Sequence, residues 1–352
     1  MKILFGVFDW GLGHATRDTP LIRALLQAGH RVEILTTGRA LKVLKAQFGE
    51  HCAFHDVPSV VSPYTRTPYF MASFIANLPT MWISLMLARR QALAVIRRGR
   101  YDLVLSDCRY DVYDAVENSL LINHQLRFHA FTLGERIAEK WLAETMRQYR
   151  GVIVPDYPED GLSGRLSHAL RYFDSSRVHY IGILSRLRRR AGQRDLDYFF
   201  SLSGPEPQRT ILERAVHAQL PDLDGRIVVA GGNPDSRRSS GNGRVAWHSY
   251  LDHAQQEEMT NRARFIVTRS GYSTMMELCE VGAAQALLIP TPGQTEQEYL
   301  ADYCEAKGYY HHTHQCGMKL SAEIARARGF AGFAAPWRTD ESVRRFLKLA
   351  CA

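Results

Sequence analysis

The sequence contains no Cys-x-x-Cys pair; its six cysteines stand apart at positions 52, 108, 279, 304, 316 and 351. That spacing supplies no disulfide framework and fits a reducing, cytoplasmic compartment. An acidic excess is also missing: Lys and Arg number 44 against 36 Asp and Glu, a formal net charge of +8. A surplus of this sign suits anionic partners such as nucleotides or phospholipids. Nucleic acid is not expected, because neither an aromatic RNA-binding signature nor a DNA-reading helix motif is present. Long apolar runs are scarce. The first, residues 3–8, ends at Asp9 and is too short for the core of a signal peptide. Residues 67–88 carry no charge and approach a membrane span in length, but Pro68, Asn77, Pro79 and Thr80 interrupt them. Metal chemistry lacks its usual marks. Of two Asp-x-Asp triplets, Asp195 with Asp197 falls in a polar stretch and Asp222 with Asp224 in a turn, so both read as solvated acids. His311, His312, His314 and Cys316 lack the separated pairs of structural zinc sites and read as a solvent-side strand. No metal is expected.

What is present alternates as an α/β protein does. Residues 2–8 form a short apolar run, hence a buried strand. A glycine-containing turn at 9–14 follows. Residues 16–28 place Leu21, Ala24, Leu25 and Ala28 at helical spacing, and Gly29 closes that helix. Residues 31–36 are the next strand, so the opening is a βαβ unit with parallel strands. A helical stripe at Met81, Leu85, Ala88, Ala92 and Val95 leads to a strand at 102–106. Weaker strands are expected at 120–122, 128–131, 151–154 and 178–181. The Arg-rich residues 184–195 read as an exposed linker. A second run then begins, with strands at 198–202, 226–230, 265–268 and 286–290 and helices at 208–219, 273–281 and 296–306. A last helix is expected at 341–350. The domains are thus 1–183, the linker 184–195, and 196–335, with residues 336–352 packing back on the first. Both read as Rossmann-like, doubly wound parallel sheets, and the cleft they share is the expected ligand site.

The segment from residue 268 to 277, Thr-Arg-Ser-Gly-Tyr-Ser-Thr-Met-Met-Glu, follows a strand and opens a helix. Gly271 permits a tight turn, and Ser273 and Thr274 sit near the cap, where backbone donors and the positive helix end suit a phosphate. Glu277, one turn on, has the chemistry to accept bonds from ribose hydroxyls. The plain alternative is an N-cap with a capping-box acid. The loop 289–293 ends the next strand, and Gln297 and Glu298 after it suit sugar hydroxyls, or else form an exposed first helical turn.

These residues resemble the donor-binding region of the MurG-type glycosyltransferases and of the wider family that includes the UDP-glucuronosyltransferases. The resemblance implies a GT-B fold. It assigns Gly271, Ser273 and Thr274 to the diphosphate side, Glu277 to the ribose, and Gln297 with Glu298 to the donor sugar, and counts Arg269 and Ser270 of the same motif among the donor-binding residues. MurG enzymes have Gln-Gln where this chain has Gln-Glu, so the resemblance does not fix the donor sugar. The loop Gly11-Leu12-Gly13-His14 matches the family's first glycine turn, with Gly13 on the donor side, and is no GxGxxG fingerprint. Residues 8–17 and the loop from Ser203 and Gly204 to Gln208 resemble a set of prokaryotic glycosyltransferase-like proteins. Ser203 and Gly204 take a phosphate-side position.

His14 is the candidate catalytic residue. It suits removal of a proton from an acceptor hydroxyl; a neutral donor to substrate oxygens and a loop histidine capping the helix are the other roles open to it. Asp107, at a strand end, orients that base, binds acceptor or is merely solvated. Asp18 reads as a helix cap. The chain is therefore expected to be a hexosyltransferase using a UDP-sugar as co-substrate, without further cofactor. By resemblance it is inverting and metal-independent, with an acceptor hydroxyl that the sequence does not identify. A nucleotide-sugar epimerase and a non-catalytic nucleotide-sugar binding protein are the alternatives. Met81, Trp82, Phe70 and Phe74 beside Arg89, Arg90 and Arg97 fit a peripheral contact with the inner membrane face and a lipid-linked acceptor; a helical hairpin buried on the sheet is the competing reading.

Overall fold

The structure, a computed structural model, describes the chain apart from Gly11, residues 62–69, 115–117 and 128–131, Pro234, Asn242 and Ala352, and the side chains of 70–75 and 132–133. The expected strand at 128–131 and the first glycine of the N-terminal turn lie outside the described residues. The chain divides into two compact units. One takes in the N-terminal segment, Tyr69–Arg186 and Trp337–Ala352; the other takes in Leu187–Pro336.

The first unit runs β1 (Lys2–Val7), α1 (Leu12–Gln27), β2 (Arg31–Thr36), α2 (Gly38–Phe48), β3 (Ala53–Asp56), α3 (Phe70–Gly99), β4 (Leu103–Asp107), β5 (Ser119–Ile122), α4 (Thr132–Met146), β6 (Gly151–Val154) and β7 (Val178–Tyr180). Its seven strands are ordered β3-β2-β1-β4-β5-β6-β7 and all pair in parallel. Ile3, Leu4 and Phe5, which point alternately to the two faces of the sheet, are all fully buried. Burial on both faces explains the continuous apolar run of this strand.

The second unit runs β8 (Leu196–Ser201), α5 (Gln208–His217), β9 (Ile227–Ala230), β10 (Ser239–Gly241), β11 (Val245–His248), α6 (His253–Arg262), β12 (Ala263–Thr268), α7 (Tyr272–Val281), β13 (Ala286–Leu288), α8 (Thr295–Ala306), β14 (His311–His312) and α9 (Leu320–Ala327). Its order is β10-β11-β9-β8-β12-β13-β14, parallel except for the β10–β11 pair. The last helix, α10 (Thr339–Ala350), packs against α1 in the first unit.

Strand order locates the ligand sites in each unit separately. In the first, successive strands add outward on one side up to β3, and the chain then returns to lay β4 on the other side of β1. In the second, β8 and β12 are neighbours with the same reversal between them. Parallel α/β sheets open a crevice at the carboxyl ends of the strands at such a switch point.

Several expectations need correction. Helix α1 starts at Leu12, four residues before the expected start, so Gly13 and His14 lie inside its first turn. Residues 70–99 form one helix despite Pro79, not a buried hairpin. Along it Leu78, Trp82, Ile83, Met86 and Leu87 are exposed. Among the described residues no helix is long and apolar enough to cross a membrane. The Arg-rich stretch at 184–195 is not a plain exposed linker. Leu184 and Leu187 are buried, and the Arg188 amide and the Arg190 guanidinium bond to Glu257 on α6. Elements α2, β3, α4, β10, β11, α6 and α9 were not anticipated.

Candidate functional site

The site in the first unit follows from strand register. β1 and β4 pair in parallel with Val7 opposite Asp107, so the acid at the end of β4 stands beside the turn that leads from β1 into α1. The first turn of α1 brings His14 to it, and His14 Nδ1 lies 2.7 Å from Asp107 Oδ2. Asp107 is fully buried, whereas the His14 side chain keeps 20% exposure. Arg17, one turn after His14 and therefore on the same helix face, bonds to Asp107 Oδ1. Its other arm reaches Nδ1 of His124 at 3.0 Å.

Burial alone pushes the Asp107 carboxyl up. The Arg17 guanidinium and then His14 more than reverse this and hold it well below the usual carboxylate range. An ionised carboxylate only accepts, so at 2.7 Å Asp107 takes its hydrogen bond from His14 Nδ1–H. That assigns the tautomer: Nδ1 carries the hydrogen and Nε2 keeps the lone pair. The Arg17 nitrogen that bonds Asp107 also lies 2.9 Å from His14 Nδ1, a close pass beside the Asp107 bond. The edge of the Phe8–His14 ring pair, with centroids 5.3 Å apart, fixes the imidazole from another side.

Asp18 does not cap the helix. It lies inside α1, fully buried, with Arg17 Nε 4.0 Å from its Oδ1 and Asp107 as its carboxyl neighbour. Burial and then repulsion from Asp107 raise its pKa well above the ordinary value. The pair is thus one ionised and one neutral carboxyl, the arrangement expected when two acids share a dry site.

His14, Asp107 and Cys108 are the grouping among the described residues with enough converging ligand atoms for a metal. Its chemistry fits a charge network better. Arg17 occupies the carboxylate, burial pushes the Cys108 thiol up, and that thiol points at the Ile122 carbonyl and the Asn123 amide oxygen.

In the second unit, three loops meet at the ends of β8 and β12, where Ser201 pairs with Thr268. Gly204 has φ +122, a conformation open to glycine; a Cβ there would lie 3.5 Å from Thr291 Oγ1 and 3.6 Å from Arg269 Nε. Arg269 holds the loops together. Its Nε donates to Ser203 O, one terminal nitrogen to Ile289 O and Pro290 O, and the other to Gln208 O and Gln315 Oε1. Every guanidinium donor is used, so Arg269 shapes the site and does not reach a ligand. Burial lowers its pKa to about 10. Ser270, also buried, is spent on the Gln297 carbonyl.

Gly271 is the N-cap of α7, and no side chain caps that end. Ser273 and Thr274 are therefore the second and third residues of the helix, and the capping box they suggested does not form. Ser273, Thr274 and Glu277 are all half-buried. A Cβ on Gly271 would lie 3.9 Å from Gln297 Nε2 and 4.0 Å from Thr274 Oγ1, so these groups surround one spot at the positive end of α7. Gln297 Oε1 accepts the Thr291 amide and Glu298 Oε1 the Gly293 amide, both at 2.9 Å, which ties the proline loop to α8.

The remaining motifs resolve as ion pairs. Asp195 bonds Arg226 and Arg262, and Asp197 bonds Arg264. His311 is buried between Glu305 and Glu323, and His312 pairs with Glu305 and Asp302, so this stretch is not a bland solvent-side strand. Arg17 and His124 were missed from sequence. A helix start at Leu12 would have placed Arg17 one turn from His14; His124 had only its place just after a strand to mark it.

Residues 1–107 match the family model described as Glycosyl transferase family 1. No curated protein matches the sequence. Solved structures extend the likeness to the whole chain. The glycosyltransferase of kitacinnamycin is 16% identical, with a TM-score of 0.64 over 99% of this chain and 95% of its own. MurG of Acinetobacter baumannii is 14% identical, with a TM-score of 0.58 over 99% of this chain and 100% of its own. The spinosyn rhamnosyltransferase SpnG, solved with thymidine diphosphate, is 14% identical, with a TM-score of 0.63 over 100% of this chain and 95% of its own. The chain is a protein of the GT-B glycosyltransferase fold, two Rossmann-like parallel-sheet units, whose first 107 residues match glycosyl transferase family 1.

Proposed function

We propose that the protein transfers a sugar from a nucleoside diphosphate donor to an acceptor hydroxyl, with inversion at the anomeric carbon. The diphosphate binds at the N-terminus of α7, beside Gly271, Ser273 and Thr274, and Glu277 takes the ribose. Gln297 and Glu298 flank the sugar. His14 Nε2 removes the acceptor proton as the acceptor oxygen bonds to the anomeric carbon. The bond from that carbon to the diphosphate oxygen breaks, and its electrons leave with the diphosphate. The dipole of α7 stabilises the charge that develops there, a task that requires no metal. Asp107 orients His14 and stabilises the imidazolium.

The observation that carries this reading is the buried, ionised Asp107 at 2.7 Å from His14 Nδ1. An imidazole held this way leaves Nε2 as an acceptor, the state a general base requires. UDP is the proposed nucleotide; the likeness to SpnG, solved with thymidine diphosphate, puts TDP beside it.

The acceptor is proposed to be lipid-linked. Leu78, Trp82 and Met86 repeat every four residues on the exposed side of α3, with Ile83 and Leu87 next to them, and exposed Arg90, Arg97 and Arg98 follow. Apolar side chains flanked by cations suit an anionic membrane surface.

Calorimetric titration with UDP, TDP and GDP on wild type and Glu277→Ala tests the donor assignment. Binding of one nucleotide that the substitution weakens supports it. Failure of all three to bind removes it and leaves a scaffold role.

A further inference from the structure

An open cavity of about 790 Å³ lies in the first unit, between α10 and the outer strands β5, β6 and β7. Four basic side chains line it: Arg150, His179, Arg345 and Lys348, and no acid does. It is separate from the site at His14. Arg150 precedes the first residue of β6, at the amino end of a parallel sheet, whereas His14 and Asp107 gather at the carboxyl ends of β1 and β4.

The sequence builds this cluster in two ways. Arg345, Lys348 and Leu349 are spaced three and four residues apart, so α10 turns all of them to one side. Arg150 reaches the same end of that helix, with one terminal nitrogen 3.5 Å from Leu349 O. His179 lies over the start of β6, where a Cβ on Gly151 would meet its Nε2 at 3.2 Å. Burial and then Arg150 hold His179 below its usual pKa. Arg345 is held by Glu341 at 3.0 Å and by stacking on Trp337, whereas Lys348 and His179 have no bonding partner among the described residues. The rest of the wall is partly apolar, with Leu120 and Leu349.

With Arg345 paired to Glu341, Arg150 and Lys348 are left as two positive charges that repel one another across the cavity unless an anion joins them. A dianion that offers several acceptor oxygens matches them better than a single carboxylate does. The volume falls within the roughly 300–1,000 Å³ range of small-molecule sites and far exceeds a bare phosphate. We propose that this cavity binds an organic phosphate, with its phosphate group between Arg150, His179 and Lys348 and its carbon skeleton against Leu120 and Leu349. The proposal does not depend on the transfer reaction.

The chemistry is shared by a soluble phosphate ester and by the phosphomonoester headgroup of a lipid, and the test separates them. The full-length protein is titrated with glycerol 3-phosphate while the His179 ring is followed by NMR. Binding raises the His179 pKa, because an anion replaces the unopposed charge of Arg150. Lys348→Glu, at an exposed position, and Arg150→Ala each weaken binding by about tenfold or more, the loss of one charge-assisted bond. Glu277→Ala leaves it unchanged. Vesicles containing phosphatidic acid form the second arm. In the Trp82→Ser, Ile83→Ser background, sedimentation with those vesicles that Lys348→Glu abolishes, without response to glycerol 3-phosphate, assigns a lipid headgroup. No His179 response to glycerol 3-phosphate together with sedimentation that Lys348→Glu leaves unchanged overturns the proposal, as does equal affinity in wild type and both variants.

Discussion

Asp107 and His14 are 93 residues apart in the chain, and their side chains meet at 2.7 Å. The parallel pairing of β1 with β4 causes this, since it sets Val7 opposite Asp107 and aims the first turn of α1 at the acid. Removing the His14 imidazole by His14→Ala is expected to lower kcat by about 10²–10⁴, the usual contribution of a positioned general base. Nucleotide affinity, measured by calorimetry, is expected to stay within twofold or so, because the donor groups belong to the other unit. Asp107→Asn lowers kcat as well, by leaving the ring free to adopt the other tautomer. A variant that loses nucleotide binding together with turnover contradicts the assignment.

Asp18 gives a pH signature. Its pKa is raised in the fold, so the folded chain holds the proton more tightly than the unfolded chain. The sign follows: the favourable contribution is complete below the unfolded carboxyl value, about 4, and declines as pH rises toward the raised folded value. Asn imitates the neutral acid. Asp18→Asn is expected to melt with wild type near pH 4 and above it near pH 8. Asp107 is held well below the usual carboxylate range, so it stays ionised in the fold across pH 4 to 8 and adds no slope to the difference between the two proteins. Thermal melting across that range checks the trend; a gap that widens toward low pH contradicts a neutral Asp18.

Glu277 sits one turn into α7, beyond Ser273 and Thr274. Glu277→Ala is expected to weaken nucleoside diphosphate binding by about tenfold, the worth of a charge-assisted bond to ribose. The 2′-deoxy form of the same nucleotide is expected to lose less on substitution, because it offers one hydroxyl fewer. Equal losses for both nucleotides remove the ribose role.

Arg269 joins the loops at Ser203, Gln208, Ile289 and Pro290 through backbone carbonyls. Lysine cannot span them, so Arg269→Lys leaves buried acceptors unmet at a cost of about 1–3 kcal/mol for each. Urea unfolding of the second unit is expected to shift by about 3 kcal/mol or more. An unchanged midpoint means that the loops hold without it.

The exposed side of α3 predicts binding to anionic vesicles. Trp82→Ser with Ile83→Ser is expected to reduce sedimentation with phosphatidylglycerol vesicles several-fold and to leave melting nearly unchanged, since both residues are exposed by more than half. Retained sedimentation assigns the α3 face another role.

Local patterns were legible where one segment decides its own structure. Strand β2 and helices α7, α8 and α10 stand within two residues of their expected bounds, because apolar spacing and terminal glycines act over a few residues. Helix α1 was read short: Leu12 and Gly13 look like turn residues, yet the helix begins at Leu12. The buried hairpin expected near residue 79 failed for the opposite reason, since proline counts as a breaker locally but the long helix carries it.

The sequence by itself determined the alternating α/β order, the two repeated sheets, His14 as the residue to watch, and the glycine–serine–threonine turn at 271–274. Only the tertiary structure decided what those residues do together. Strand order brings Asp107 to His14, and helix phase adds Arg17 and a neutral Asp18. The loop geometry turns Arg269 from a ligand contact into a brace. Charge, burial and hydrogen-bond direction depend on which distant segments meet, and spacing along a single chain carries no record of that.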